Sequence, residues 1–506
     1  MAKKFIHYTF RGKVEYAYIY TPQKVNGKKV NTPVYLGRVV DKERGIFRNR
    51  KDGVFTFSFE NGYGFINDRE MPEAIRPHKE EKLILDFGDA FFLYSALRLS
   101  DIYKAIIAVL PDETDTLISL LGFRLLSNMS NRHAEDWWEG SYTRILYPKA
   151  NLKSQRLSEF FRRLGNEAIQ RRFFDNYLES LCKGRRVGVL IDSTGMPNDI
   201  CFPLTAVSTH NGVTNKETRL LYVVDRGSGM PLFFRYNAGN IVDVTTLRTT
   251  IAELEAVGID TDFAILDSGY YSEGNIRSLY GESDDEKTIP FLTRLGSNRK
   301  LYKNLVNSHA EDLTRSKYML MQRDRLISIK RVDVELFGHT GYAYVAIDHA
   351  RREDEIRRYA KAAIQNKDIS HDDMDSVIRT KGLFILISSE KIEPHEILPL
   401  YYTRQTVEQI FDVCKNNADL LPLRVHNEDT FRGHLMLSFI ATAVYLKINQ
   451  LMKDTDFYAE GALSVLRNQK CKVYDNRIIP KEPTRKMKDI YKLLNVDSPS
   501  VIPFRW

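Results

Sequence analysis

Two aspartates directly follow stretches of the chain that are predicted to be buried strands. Asp192 comes after the apolar run 187–191, and Asp267 comes after the apolar run 263–266. Side chains at the strand ends of an α/β sheet emerge from a rigid, dry layer, and ligands bind there. One aspartate in such a place is usually a turn former or a cap. Two on adjacent strands, joined by a carboxylate from a helix, could hold a pair of divalent metal ions.

The third carboxylate is predicted to be Glu408, on a helix that runs from about residue 394 to residue 415. At about 100° per residue, four residues of this helix fall within an arc of about 60°: Tyr401, Arg404, Glu408 and Lys415. An exposed ion pair between Arg404 and Glu408 would explain part of this spacing, but the two aspartates favour a functional site. Two Mg²⁺ ions held there would activate a water or a 3′-hydroxyl and stabilise a phosphate during transfer.

The positive charge of the chain is concentrated in three segments. The whole chain carries a net charge of +8 over 506 residues, whereas residues 1–51 alone hold 13 Lys and Arg against 3 Asp and Glu. Residues 144–186 hold 11 against 4, and residues 465–506 hold 10 against 4. Solvated basic faces would explain any one of these segments. Three together favour a polyanion that wraps over several domains, such as nucleic acid.

The cysteines and the apolar segments argue against several classes of protein. Cys182, Cys201, Cys414 and Cys471 lie far apart, which disfavours a disulfide framework or a zinc knuckle and fits a reducing compartment. No signal peptide is predicted near the first residues, and the apolar run 435–446 is too short to span a bilayer. Gly-rich phosphate loops are missing, which argues against the use of ATP. We therefore expect a cytoplasmic protein.

The order of predicted elements indicates a mixed α/β protein with accessory regions. Residues 5–65 alternate apolar and polar side chains in short runs, which predicts a small basic β module. Residues 83–131 and 154–181 show helical periodicity. From residue 187 onward, three strands, a helix at 243–257 and a fourth strand follow one another. That order is the opening of a ribonuclease-H-like fold.

One spacing on the predicted helix resembles the signature of a known family. The spacing Y-x2-R-x3-E-x6-K is met by Tyr401, Arg404, Glu408 and Lys415. It resembles the signature of bacterial DDE insertion-sequence transposases of the insertion sequence four type and its close relatives. Four other elements resemble this family and occur in the right order: residues 191–194, Gly239-Asn240 with Asp243, residues 267–270, and Gly433-His434. The likeness covers about residues 186–450.

The resemblance implies a ribonuclease-H-like catalytic core in which Asp192, Asp267 and Glu408 form the triad that binds two Mg²⁺ ions, for which Mn²⁺ can substitute. It also implies a mainly β insertion between the second aspartate and the catalytic helix. The expected domains are a basic β module that binds DNA (1–75), a helical region that binds DNA ends (76–185), a catalytic core (186–290 and 386–450), the mainly β insertion (291–385), and a basic C-terminal region (451–506).

The same resemblance implies a DNA transposase that acts as a homodimer on double-stranded DNA and is associated with the nucleoid. It would bind the terminal inverted repeats of an insertion sequence, cleave the ends by two-metal phosphodiester hydrolysis and join the 3′-hydroxyls to target DNA. By matched position, Tyr401 is expected to stack on the DNA end or contact a phosphate. Arg404 and Lys415 are expected to bind phosphates.

Relatives of this type support a DNA hairpin intermediate with a flipped base, and some place a tryptophan of the insertion against that base. This chain departs from that pattern, since its tryptophans are Trp137, Trp138 and Trp506. Phe337 or Tyr342 could substitute for the missing ring, or the hairpin route is absent.

Two other functions are open on sequence grounds. A catalytically silent, domesticated relative would bind terminal repeats without cutting them. The presence of Asp192, Asp267 and Glu408 argues against this function. A ribonuclease-H-like nuclease or resolvase of another pathway would prefer branched or RNA–DNA substrates. The four residues that share one side of the predicted helix disfavour it.

Overall fold

The computed structural model describes residues 4–25, 28–65, 82–198, 202–210, 213–241, 243–281, 287–364, 371–418, 420–421, 425 and 427–504. Trp506 and residues 66–75 of the predicted β module therefore lie outside the described residues. The chain divides into two compact units. The first comprises Met1–Leu83, Val473–Arg477 and Pro503–Trp506, and the second comprises Ile84–Lys472 and Ile478–Ile502. None of the described helices combines the length and the apolar character that crossing a bilayer requires.

Six strands of the first unit form one antiparallel sheet in sequence order. They are β1 (Phe5–Arg11), β2 (Val14–Val25), β3 (Lys28–Asp41), β4 (Ile46–Asn49), β5 (Gly53–Ser58) and β6 (Gly62–Phe65). Successive side chains of a strand point to opposite faces of its sheet. One face therefore gathers the apolar residues that form the core of this unit: Ala17, Leu36, Phe47 and Phe55. The opposite face carries exposed rings, among them Phe5 and Tyr35.

A helical region follows the six-stranded sheet along the chain. Its elements are β7 (Leu83–Asp86), α1 (Gly88–Leu99), α2 (Tyr103–Val109), α3 (Thr114–Leu126), α4 (Ala134–Gly140), α5 (Thr143–Leu146), α6 (Ser154–Leu164) and α7 (Glu167–Cys182). Apolar residues of α6 recur every three or four positions, so one face of the helix is buried. The arginines of α6 occupy its other face.

A large mixed sheet follows the helical region. Its first strands are β8 (Val187–Pro197), β9 (Ala206–His210), β10 (Val213–Asp225) and β11 (Pro231–Ala238); α8 (Leu247–Ala256) then leads to β12 (Thr261–Leu266), and α9 (Glu273–Tyr280) leads to β13 (Phe291–Leu295). β8 pairs with β10 in antiparallel fashion on one side and with β12 in parallel on the other. The apolar runs of β8 and β12 are those of strands buried on both faces.

The same sheet continues into the region predicted to be an insertion. The elements there are α10 (Lys300–His309), β14 (Met319–Gln322), β15 (Arg325–Leu336), β16 (His339–Asp348), α11 (His349–Ile364), α12 (His371–Thr380) and β17 (Leu383–Ser388). The strand order of the sheet is β11-β10-β8-β12-β13-β17-β16-β15-β14, and β9 pairs with β10. The predicted mixed α/β class is confirmed. The strands of residues 291–385 extend this sheet and do not form a sheet of their own.

Helices dominate the remainder of the chain. The elements are α13 (Pro394–Tyr402), α14 (Gln405–Asp412), a π-helical turn (Val413–Asn417), α15 (Glu428–Leu451), α16 (Ala459–Leu466), β18 (Lys470–Val473), β19 (Arg477–Pro480), α17 (Arg485–Lys492) and β20 (Ile502–Pro503). The single helix predicted over 394–415 is therefore divided, between α13 and α14, at Thr403 and Arg404.

Local hydrogen bonds explain this division. Pro399 has no N–H to donate within α13. The Thr403 hydroxyl donates to the carbonyl of Leu400 at 2.7 Å. The Arg404 N–H donates three residues back, to Tyr401 at 3.1 Å. Bonds of this reach wind the chain more tightly than an α-helix does. The prediction of four residues on one side of a single helix rests on a uniform turn of about 100° per residue. That turn does not hold across the junction of α13 and α14.

Two glycines allow α6 and α15 to pack closely. A Cβ atom on Gly433 would lie 1.9 Å from the carbonyl oxygen of Phe161, and one on Gly165 would lie 1.9 Å from that of Asp429. Neither position can hold a larger side chain without moving backbone, because the opposing atoms are carbonyl groups. The Gly433 element noted in the sequence thus has a packing role in the structure.

The neighbouring histidine is buried in the same helix. The ring of His434 lies 3.1 Å from Nη2 of Arg124 and 3.0 Å from the carbonyl oxygen of Leu420. Burial, helped by the charge of Arg124, lowers the pKa of His434 to about 3. The ring is therefore neutral near pH 7 and fastens α15 to the helical region.

We predict that Gly433→Ala destabilises the protein by about 1–3 kcal/mol, because the added methyl group forces α15 away from α6. Gly274→Ala is the matched control, since Gly274 also lies in a helix but a Cβ there meets no atom within 4 Å. Thermal unfolding of the two variants measures the difference. Equal midpoints for both would show that the close approach of the helices contributes nothing to stability.

Candidate active site

The two predicted aspartates lie side by side on parallel strands. β8 and β12 pair as far as Ile191 opposite Leu266, and Asp192 and Asp267 are the residues that follow. β8 continues to Pro197 alongside β10, so Asp192 does not end its strand as predicted. The sheet opens beside Asp192 because β12 ends there.

A cleft of about 390 Å³ lies at this opening. Its lining residues are Asp192, Ser193, Thr194, Arg219, Asp267, Arg404, Glu408, Phe411, Asp412 and Lys415. The structure thus gathers the two aspartates, Glu408 and both predicted cations into one cleft. They come from β8, the loop after β12, and the interrupted helix.

The guanidinium group of Arg404 joins the three acidic side chains. Its Nη2 atom lies 3.5 Å from Oδ2 of Asp192 and 3.1 Å from Oδ1 of Asp267. Its Nη1 atom donates to Oε1 of Glu408 at 2.8 Å. One cation therefore bridges carboxylates whose positions span more than 200 residues of sequence.

The three contacts differ in strength because their exposure differs. The side chains of Arg404 and Asp192 are only 17% and 11% exposed, so water screens this pair weakly. Glu408 is 59% exposed, so its contact contributes much less. Burial acts to lower the pKa of Arg404, but the surrounding negative charges, Asp192 and Asp267 foremost, together raise it.

Lys415, the second predicted cation, binds β8 two residues after Asp192. Nζ of Lys415 donates to the hydroxyl of Thr194 at 2.7 Å. Lys415 lies in the π-helical turn after α14, a widened turn of a kind frequent at functional sites. Burial lowers the pKa of Lys415, while the nearby Cys414 and Glu217 oppose that shift.

Arg219 is a cation of the cleft that the sequence reading missed. Its Nη2 atom donates to the hydroxyl of Ser193 at 3.0 Å. It lies on β10, opposite Gly195 of β8. The available signal was a charged residue just before an apolar strand, which is too common a feature to single out one arginine.

Tyr401 is not among the residues that line the cleft. Its ring is half-buried beside Arg404 and Asp267, and burial raises the pKa of its hydroxyl to about 12. Its ring centroid is 6.5 Å from that of Tyr402. Stacking of Tyr401 on a DNA base stays a prediction.

The Gly239 element has a local structural explanation. A Cβ atom on Gly239 would lie 2.1 Å from the carbonyl oxygen of Glu217. A glycine therefore lets the chain after β11 pass close to β10. Asp243 begins a short 3₁₀ turn before α8.

Phe337 lies at the tip of the hairpin between β15 and β16. Its backbone has φ +57°, a left-handed conformation that is rare for a bulky residue. Its ring centroid is 6.1 Å from that of Tyr271, four residues after Asp267. Arg299 donates to the carbonyl of Tyr271 at 2.9 Å and lines the same pocket as both rings. Tyr342 lies further along β16.

The three acidic residues suit a hard metal ion by their chemistry. Carboxylate oxygens are the ligands that Mg²⁺ and Mn²⁺ prefer, and all three already converge on one positive group. In the part of the chain that the structure describes, no three acidic, histidine or cysteine side chains are close enough to share an ion. At this site, Arg404 lies between the carboxylates.

One comparison with known proteins, the match to a protein family, agrees with the chemistry of the cleft. The family described as the transposase DDE domain matches residues 183–444, more than half of the chain. No curated protein matches it. Among solved structures it is similar to one titled as a cryo-EM structure of the piggyBac transposase synaptic complex with hairpin DNA. The identity is 10%, the match covers 75% of this chain and 79% of that chain, and the TM-score is 0.37.

A structural likeness at that level assigns nothing to this chain. The family match does assign its family, because the match spans both aspartates, Glu408 and the two predicted cations. The prediction of a DDE transposase is confirmed at the level of the family. The chain belongs to the transposase DDE domain family.

Proposed function

We propose that the protein is a DNA transposase of the insertion sequence four type or a close relative. It binds the terminal inverted repeats of its element, cleaves the ends, and joins the 3′-hydroxyls to target DNA as a homodimer. The single observation that carries this proposal is the convergence of Asp192, Asp267 and Glu408 on one cation in an open cleft. A ribonuclease-H-like core is supported by the order of three antiparallel strands, α8 and the parallel strand β12.

Asp192, Asp267 and Glu408 are the residues that would hold two divalent ions. Once bound, such ions activate the attacking oxygen, neutralise charge on the phosphate and stabilise the leaving oxygen. Asp192 is held by the sheet and accepts a hydrogen bond from the N–H of Ser193 at 2.8 Å. Glu408 lies on an exposed helical face, so it is the ligand with the most freedom to adjust.

The cations of the cleft are suited to hold DNA phosphates. Arg404 presents a planar, two-pronged donor, which matches phosphate geometry when carboxylates do not occupy it. Lys415 and Arg219 lie along the same strand segment, bound to the hydroxyls of Thr194 and Ser193. A scissile phosphate placed beside Asp192 would therefore have cations along β8.

A second cationic cleft adjoins Asp267. Ser268, the residue after Asp267, lines it together with Arg294, Lys303, Arg351 and Lys381. Four cations beside the candidate catalytic loop make a path for the DNA strand that leaves the cleft. Glu355 holds Arg351 at 2.7 Å, which keeps that guanidinium in place.

We also propose that Phe337 supports a flipped DNA base if the reaction passes through a DNA hairpin intermediate. The motivation is the place of its ring at the tip of the β15–β16 turn, 6.1 Å from the ring of Tyr271, which follows Asp267 by four residues. Tyr271 and Arg299, which line the same pocket, would flank the base.

We predict that Arg404→Met lowers the thermal midpoint by a few degrees without metal, since three carboxylates lose the cation they share. Millimolar Mg²⁺ should raise the midpoint of this variant more than that of the unaltered protein, because the ions no longer compete with a guanidinium group. Adding Asp192→Asn to Arg404→Met should abolish the extra response. Equal Mg²⁺ shifts in the unaltered protein and Arg404→Met would contradict a metal site at Arg404.

Cleavage is tested with labelled duplexes that tile the DNA flanking the chain's own coding sequence. We expect Mg²⁺-dependent cutting at one fixed boundary, and a loss of at least about a hundredfold in Asp192→Asn, since even outer-shell changes cost 10–100-fold at metal sites. Asp412→Asn is the matched control, because Asp412 lines the same cleft but its carboxylate accepts from Asn416. A hairpin product that is lost in Phe337→Ala would support the flipped-base role.

The alternatives predict different results in the same experiment. Tight binding of one boundary without cleavage, unaffected by metal, would identify a silent DNA-end-binding relative. Faster cutting of a four-way junction or an RNA–DNA hybrid would identify a nuclease or resolvase. Equal cutting by Asp192→Asn would refute the proposed site.

A further inference from the structure

One face of β1, β2 and β3 carries a cluster of rings on the side away from the core of this sheet. We call it the aromatic face; its members are Phe5, His7, Tyr16, Tyr18, Tyr20 and Tyr35. Strand pairing places them side by side, since Phe5 pairs with Tyr20 and Tyr18 pairs with both His7 and Tyr35. The core of the sheet lies on the other face, around Ala17 and Leu36.

The rings of the aromatic face contact one another. Phe5 stacks on Tyr20 with centroids 5.6 Å apart and planes 9° from parallel. The Tyr18 and Tyr35 centroids are 5.4 Å apart, and those of Tyr16 and Tyr35 are 6.4 Å apart. These contacts hold the rings in place, so little freedom remains to be lost on binding a flat ligand.

The aromatic face is partly open to solvent in the described structure, since Phe5, His7 and Tyr35 are exposed and the other three rings are half-buried. Phe5 is 45% exposed and Tyr35 is 48% exposed. Exposed, contiguous rings on a soluble sheet mark an interaction surface, because folding alone would not favour leaving them in water.

Cations border the rings. Arg38 pairs with Tyr16 on one side and with Arg48 on the other, and both Arg11 and Arg38 are exposed. Burial and the neighbouring Tyr16 raise the pKa of Tyr35, whereas the charge of Arg11 opposes that rise. Arg11 alternates with Phe10 along β1, so its side chain belongs to the same face as Phe5 and His7. The surrounding segment 1–51 holds 13 basic residues against 3 acidic ones, so the ligand should be an anion with flat, apolar faces.

We infer that the aromatic face binds unpaired, single-stranded DNA, with bases stacked on the tyrosines and phosphates on Arg11 and Arg38. Bases in a duplex hide their flat faces in their own stack, whereas unpaired bases can stack on exposed rings in any sequence. This inference rests on the proposed function, in which strand cleavage and joining create unpaired ends.

The test uses the full-length protein carrying Asp192→Asn, without metal, so that its outcome is independent of cleavage. Fluorescence anisotropy measures binding to a labelled dT 20-mer and to a duplex of the same length. We expect Tyr18→Ala with Tyr35→Ala to weaken dT 20-mer binding at least about tenfold and to change duplex binding much less. Tyr18→Phe with Tyr35→Phe keeps the rings and should bind the dT 20-mer within about twofold of the parent.

Phe10→Ala is the matched control, because Phe10 is a 68% exposed ring on β1 at a position of the opposite face. It should leave binding unchanged. Arg11→Ala with Arg38→Ala should reduce the slope of log affinity against log salt by about 1.4, since each phosphate contact on a single strand contributes about 0.7.

Four results would overturn the inference. They are no loss in the folded alanine pair, an equal loss on duplex, an equal loss in Phe10→Ala, and tighter binding of a U 20-mer RNA that depends on the same tyrosines. The last result would assign the face to RNA. Loss of a concentration-dependent dimer in the alanine pair, with unchanged DNA binding, would assign it to a second copy of the chain.

Discussion

The arrangement of the cleft depends on one guanidinium group that holds three carboxylates. Without a cation, Asp192, Asp267 and Glu408 would repel one another across a partly buried gap. Arg404 supplies that cation from the position just before α14, the helix that carries Glu408, and its guanidinium nitrogens lie 2.8–3.5 Å from all three carboxylates. The three carboxylates are thus gathered by a side chain of the protein itself. In the proposed reaction, metal ions would replace Arg404 as the partners of the carboxylates. The guanidinium group would then bind a DNA phosphate.

The rest of the second unit positions the groups around this contact. Parallel pairing of β8 with β12 sets the two aspartates at one level of the sheet. The tight turn at Thr403 and Arg404 and the π-helical turn at Lys415 bring the helix residues to that level. α15 packs against α6 through Gly433, and Ser438 of α15 donates to the carbonyl of Ala418 at 3.4 Å, just beyond the π-helical turn.

Much of this site was predictable because charged residues interrupt strongly apolar patterns. Asp192 and Asp267 were found from the apolar runs before them, and the helix residues from their spacing. The break between α13 and α14 was not predicted, because it depends on hydrogen bonds around Thr403 that helical periodicity does not report. Arg219 was missed because its place in the cleft comes from the pairing of β10 with β8, and the sequence does not report which strands pair. The continuation of the sheet through β17 and β16 was missed for the same reason.

The most direct test of the central claim is anomalous scattering from crystals of the protein soaked in Mn²⁺. The proposed function predicts Mn²⁺ peaks bounded by Asp192, Asp267 and Glu408, with the Arg404 guanidinium displaced from the carboxylates. A cleft without Mn²⁺ at saturating concentration, in which Arg404 still bridges all three carboxylates, would contradict it.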